Sequence, residues 1–124
     1  MSPRSLLSAL LVLCGGAAHA GDWTLSIGGV TLEGISVDER VVGDSYHLGL
    51  ASDTAWLTFS FPASDGRRPA EAEAERVDLN AFEPDIQCTD IAPGGVRLDG
   101  SALRGEVVCP RPGGTLELIG QFDN

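Results

Sequence analysis

Lysine is absent from this chain: all eight basic side chains are arginine, set against eighteen acids, for a formal net charge of -10. That balance excludes a nucleic-acid partner and an anionic lipid surface, because the phosphates of either would be repelled. Histidine is nearly absent too, and His47 is the only one beyond position 20. A catalytic pair or metal centre that needs two imidazoles therefore has one to work with. The three cysteines, Cys14, Cys88 and Cys109, form no C-x-x-C pair, which removes the usual zinc and thiol-redox spacings. No apolar run approaches the ~20 residues needed to cross a bilayer.

What is present begins with a leader. Arg4 supplies a positive start, an apolar run leads from Leu6 to Cys14, and Ala18-His19-Ala20 offers a small-residue cleavage site. The expectation is a signal peptide over residues 1–20 and a single β domain over residues 21–124, periplasmic or secreted. Cleavage removes one arginine and no acid, so the mature chain is one charge more negative. Cys14 follows Leu13, where a lipoprotein signal would want a small residue. A mature chain of ~100 residues can bury one modest core, which small exported domains often reinforce with a disulfide.

The mature chain reads as strands and turns. Trp23 to Ile27 and Val30 to Gly34 flank Gly28-Gly29, a two-residue link that predicts a hairpin. Its register sets Ile27 against Val30, Leu25 against Leu32 and Trp23 against Gly34, so that one face is apolar. Ile35 to Val42 predicts a strand broken at Asp38-Glu39-Arg40. Past the Gly43-Asp44 turn, Tyr46, Leu48 and Leu50 alternate, and residues 55–61 form the most aromatic run, a central core strand. Leu57, Phe59 and Phe61 take one face of it, with Trp56, Thr58 and Ser60 on the other. Residues 71–76, rich in Glu and Ala, suit one short helical turn, though their alternation fits a strand edge equally. Pro93-Gly94-Gly95 marks a turn. Cys88 and Cys109 each fall on the apolar parity of a strand, which predicts a structural bridge between them.

Candidate chemistry is sparse. Gly43-Asp44-Ser45 resembles the start of the nucleophile motif of the Gly-Asp-Ser-Leu lipases and esterases. Tyr46 stands in the fourth place and no histidine follows His47, so Ser45 lacks the base it would need. Asp78-x-Asn80 opens like a calcium loop, but Phe82 and Glu83 occupy places for an oxygen ligand and a glycine. Asp44, His47 and Asp53 could meet around a loop only as a one-histidine set. The densest acidic run, Glu71, Glu73 and Glu75 with Asp78, is a candidate docking patch for a partner. Trp56 and Phe59 are the candidate apolar binding face. No catalytic residue, metal or cofactor is implied.

Trp-x-Leu-x-Ile-Gly-Gly at the front, two cysteine-bearing strands, and the runs from Gly105 to Cys109 and from Gly114 to Leu118 resemble an opening segment of the bacterial AsmA-like envelope proteins. That resemblance implies strands lining an apolar, lipid-carrying groove, here as a solitary module. From the residues themselves, the expected fold is all-β: a small antiparallel sandwich or curved open sheet of seven to nine strands, with one disulfide. The expected function is a non-enzymatic, exported binding or interaction module of the bacterial cell envelope that engages an envelope protein. The alternative is a carrier for an apolar ligand such as lipid.

Overall fold

A computed structural model describes residues 21–90 and 95–123. The expected signal segment, residues 1–20, and the turn at Pro93-Gly94 lie outside the described residues. Within them the chain forms eleven strands and no helix: β1 (Asp22–Ile27), β2 (Val30–Gly34), β3 (Ser36–Val42), β4 (Ser45–Ala51), β5 (Ala55–Pro62), β6 (Glu71–Glu73), β7 (Arg76–Ala81), β8 (Ile86–Asp90), β9 (Val96–Asp99), β10 (Ala102–Val108) and β11 (Thr115–Asp123). They make a six-stranded sheet in the order β2-β1-β11-β10-β9-β6 and a five-stranded sheet in the order β3-β4-β5-β7-β8. Every pairing is antiparallel.

The β1–β2 hairpin has the register that its alternation requires, with Ile27 opposite Val30, Leu25 opposite Leu32 and Trp23 opposite Gly34. Gly28 and Gly29 both take positive φ, the conformation that a two-residue hairpin turn needs. The strand break expected at Asp38-Glu39-Arg40 falls instead at Ile35, where the chain leaves the six-stranded sheet as β2 and enters the five-stranded sheet as β3. Charge does not interrupt β3, because it is an edge strand whose charged side chains reach solvent or a partner.

A second such crossing replaces the expected helical turn over residues 71–76. Residues Glu71 to Glu73 are β6, and the next two amides turn to opposite sheets: Ala74 N–H donates to Val96 O at 2.7 Å and Glu75 N–H to Ser60 O at 2.7 Å. Helical propensity is a weak preference, and here the burial of Ala74 and two cross-sheet ladders override it.

The inner faces of both sheets close on one apolar core. It takes Trp23, Leu25 and Ile27 from β1, Tyr46, Leu48 and Leu50 from β4, and Leu57, Phe59 and Phe61 from β5. Each such side chain contributes about 1.5–3 kcal/mol by leaving water. The central position expected for residues 55–61 is correct, since β5 is the middle strand of its sheet. Cys88 on β8 and Cys109 just past β10 are disulfide-bonded across the two sheets, 21 residues apart in sequence. Closing that loop stabilises the fold by about 3 kcal/mol on the chain-entropy view.

One end of the sandwich is tied by Arg68, from the connection between β5 and β6. Its guanidinium donates to Glu39 Oε1 at 3.0 Å, Gly100 O at 2.7 Å and Ser101 Oγ at 3.0 Å, and it lies 5.0 Å from the centre of the Phe122 ring. Tyr46 adds its hydroxyl as a donor to the same Glu39 oxygen at 2.6 Å. Burial and the bond to that carboxylate push the Tyr46 phenol well above its ordinary pKa.

Candidate functional site

The outer face of the five-stranded sheet carries the side chains that the core does not use. One cross-strand row there runs Ser36, Ala51, Trp56, Asn80 and Gln87 over β3, β4, β5, β7 and β8. Arg111 extends it past the edge of the sheet: Gln87 N–H donates to Arg111 O at 2.9 Å and Arg111 N–H donates back at 3.3 Å. This short bridge covers part of an edge strand that would otherwise be open.

Trp56 is 48% exposed on this row. Its neighbour is Phe82, 55% exposed, and the two rings meet edge to face with centroids 5.3 Å apart. Phe82 stands just past β7, with its N–H donating to Thr54 O at 2.9 Å. Beside this aromatic corner is a depression of about 420 Å³ lined by Asn80, Phe82, Glu83, Asp85, Gln87 and Arg111, a size within the usual range of small-ligand sites. Four of its polar side chains pair with one another. Gln87 Nε2 donates to Asn80 Oδ1 at 3.1 Å, and Arg111 donates to Asp85 Oδ2 at 2.8 Å.

Of the candidate apolar face, then, Trp56 is at the surface but Phe59 is not. Phe59 is 1% exposed in the core, on the opposite side of β5, because successive strand residues point to opposite faces. The two do not share a surface. Phe82 is the aromatic that joins Trp56, and its parity could have found it: Val77, Leu79 and Ala81 point inward, so 78, 80 and 82 point out.

The acidic run is divided rather than gathered. Glu71 and Glu73 lie on β6 in the six-stranded sheet, where Arg97 of β9 reaches both, at 3.3 and 3.4 Å. Asp78 belongs to β7 in the other sheet and accepts from Arg76 Nε at 2.7 Å. Glu75 is exposed at the crossing between them. Three of the four carboxylates thus have an arginine partner supplied by the fold itself. Such exposed pairs add little stability, about 0–1 kcal/mol each, but they leave less charge free for a partner.

His47 has a side-chain partner on the next strand. It is opposite Ser60 across β4 and β5, and its Nδ1 lies 3.1 Å from Ser60 Oγ. A hydroxyl beside an imidazole is the first half of a nucleophile. Hydrolysis would also need donors aimed at a developing oxyanion. β4 and β5 are both flanked by neighbours in the sheet, so their backbone N–H groups are committed to its ladders. Ser45, the serine of the Gly-Asp-Ser run, is paired with Val42 and Pro62. Asp44 and Asp53 stand before and after β4, at its opposite ends. Among the described residues no three His, Cys, Asp or Glu side chains gather as a metal site, and no helix is long and apolar enough to cross a membrane.

Fold and surface together define a small two-sheet antiparallel β protein with a bridged core and an exposed aromatic corner. Comparison with protein-family models, curated proteins and solved structures finds no match to this chain.

Proposed function

We propose that this protein is a non-enzymatic binding module of the bacterial cell envelope, exported by the leader in residues 1–20, and that it works through the Trp56–Phe82 corner. The observation that carries the reading is the exposure of both rings, at 48% and 55%, against one another on an outer sheet face. Large aromatics half in water add little to a fold whose core lies on the other side of the sheet. They are the kind of side chain that anchors recognition, offering wide contact area with few rotamers to fix.

Two observations favour the corner over the other candidates, an enclosed apolar ligand and the acidic rim. The space between the sheets, where a carrier would hold a lipid tail, is occupied by Leu57, Phe59 and Phe61 together with Trp23 and Tyr46. The acidic rim, the other candidate contact, has half its charge offset by Arg97 and Arg76.

The test is co-sedimentation of the purified protein with isolated envelope from the cells that make it. We expect retention to be lost in the double variant Trp56→Ala, Phe82→Ala and kept in Glu71→Gln, Glu73→Gln. Equal retention of both variants would refute the assignment of the corner, and loss only in the glutamate variant would move the contact to the acidic rim.

A further inference from the structure

We infer that the ligand of the Trp56–Phe82 corner is a neutral carbohydrate, bound as a short stretch of sugar rings along the row from Trp56 to Arg111. This rests on the reading of the corner as a recognition surface and names what it recognises.

The chemistry of the lining selects the ligand class. A pyranose ring has an apolar C–H face and an equator of hydroxyls, each both donor and acceptor. Against the C–H face the corner sets two aromatic rings at right angles, one of which, Phe82, also lines the depression. Along the same face, Asn80 and Gln87 are opposite each other and share one hydrogen bond. An amide carries two donor hydrogens and an acceptor oxygen with two lone pairs, so that single bond leaves donor and acceptor capacity on both side chains. Adjacent amides suit vicinal hydroxyls, which need both kinds of partner. Asp85 and Arg111 continue the line as an exposed ion pair at 2.8 Å, which offers both acceptor and donor groups to ligand hydroxyls.

Charge narrows the class further. The depression is lined by Glu83 and Asp85, its one cation Arg111 is paired with Asp85, and the whole chain carries -10. Anionic sugars, phosphates and nucleic acid would meet repulsion. A cationic peptide would find one unpaired carboxylate in the lining, Glu83, but the two neutral amides and the ion pair give it no further charge to match. A neutral polyhydroxyl ligand offers a partner to each polar side chain of the lining.

Calorimetric titration of the exported protein with cellohexaose, maltohexaose and chitohexaose tests the inference, with polygalacturonate and penta-arginine as charged counter-probes. We expect saturable binding of at least one neutral hexasaccharide. Its affinity should fall about tenfold or more, the equivalent of 1.4 kcal/mol, in Trp56→Ala and in Gln87→Ala, with the unfolding transition of both variants retained. No response to any of the three neutral sugars, or a response that Trp56→Ala leaves unchanged, would overturn it. Binding of penta-arginine that Trp56→Ala abolishes, without sugar binding, would overturn the sugar assignment and uphold the corner as a recognition surface. If no probe binds and envelope retention also ignores Trp56 and Phe82, the reading of the corner falls with it.

Discussion

Ala51 stands between two tryptophans that do opposite things. On the inside, Trp23 is 2% exposed and its indole N–H donates to Ala51 O at 3.0 Å. On the outside, Trp56 is directly opposite Ala51 on the neighbouring strand and is half in water. The inner ring is built for. Gly34 faces Trp23 across β1 and β2, and a Cβ there would sit 2.6 Å from both the indole nitrogen and Ala51 O. The outer ring is matched only by Phe82, equally exposed. The same residue type is thus a fastening between sheets at one side of a strand and an exposed ring at the other, and what separates the two is burial and a hydrogen-bond partner rather than sequence context.

The sharpest way to break this comparison is to remove the inner ring. Trp23→Ala is expected to cost about 3–5 kcal/mol, as truncations of large buried aromatics do, measured by denaturant unfolding. Gly34→Ala should cost about 1–3 kcal/mol by overpacking the same contact. The disulfide comes next: Cys88→Ala together with Cys109→Ala should lower stability by about 3 kcal/mol, read in the same assay.

Alkaline pH gives an unusually clean test of the Tyr46–Glu39–Arg68 tie. The folded phenol is raised above its unfolded value, so its contribution is fully present below pH about 10 and is lost as pH rises beyond it. The chain has one tyrosine and no lysine, and its two cysteines beyond position 20 are bridged. Tyr46 is therefore the only side chain beyond position 20 that would titrate there before arginine. We expect stability to fall by up to about 1.4 kcal/mol per pH unit above 10, and the slope to vanish in Tyr46→Phe. The same slope in both proteins would contradict the account.

The outer features should move stability least. Trp56→Ala is expected to cost about 1 kcal/mol or less, since it removes one aromatic pair and little core area. Glu71→Gln with Glu73→Gln should stay within about 0.5 kcal/mol. A cost near that of Trp23→Ala at position 56 would place that ring in the fold and not at a recognition surface.

How much of this was legible in the sequence depends on how far the deciding contact lies along the chain. The β1–β2 register was readable because a two-glycine turn and strict alternation fix it within twelve residues. The bridge was readable because each cysteine shares parity with apolar neighbours. The crossings at Ile35 and Ala74 were not, because alternation says which face a residue takes but not which sheet its strand joins. Arg111 beside Gln87 depends on a bridge between segments distant in sequence, and Ser60 beside His47 on the register of the β4–β5 hairpin, which no two-glycine turn fixes. Phe82 is a different case: its outward parity is legible, but its contact with Trp56 comes only from the pairing of β5 with β7.

The central claim, that the outer tryptophan and not the inner one meets the ligand, is tested most directly by following the two indole N–H resonances of the 15N-labelled protein. The titrants are cellohexaose, maltohexaose and chitohexaose in turn. The account predicts that with at least one of them the Trp56 signal shifts saturably while that of Trp23, buried and donating to Ala51, stays in place. A Trp56 signal unmoved by all three, or a shift confined to Trp23, would contradict it.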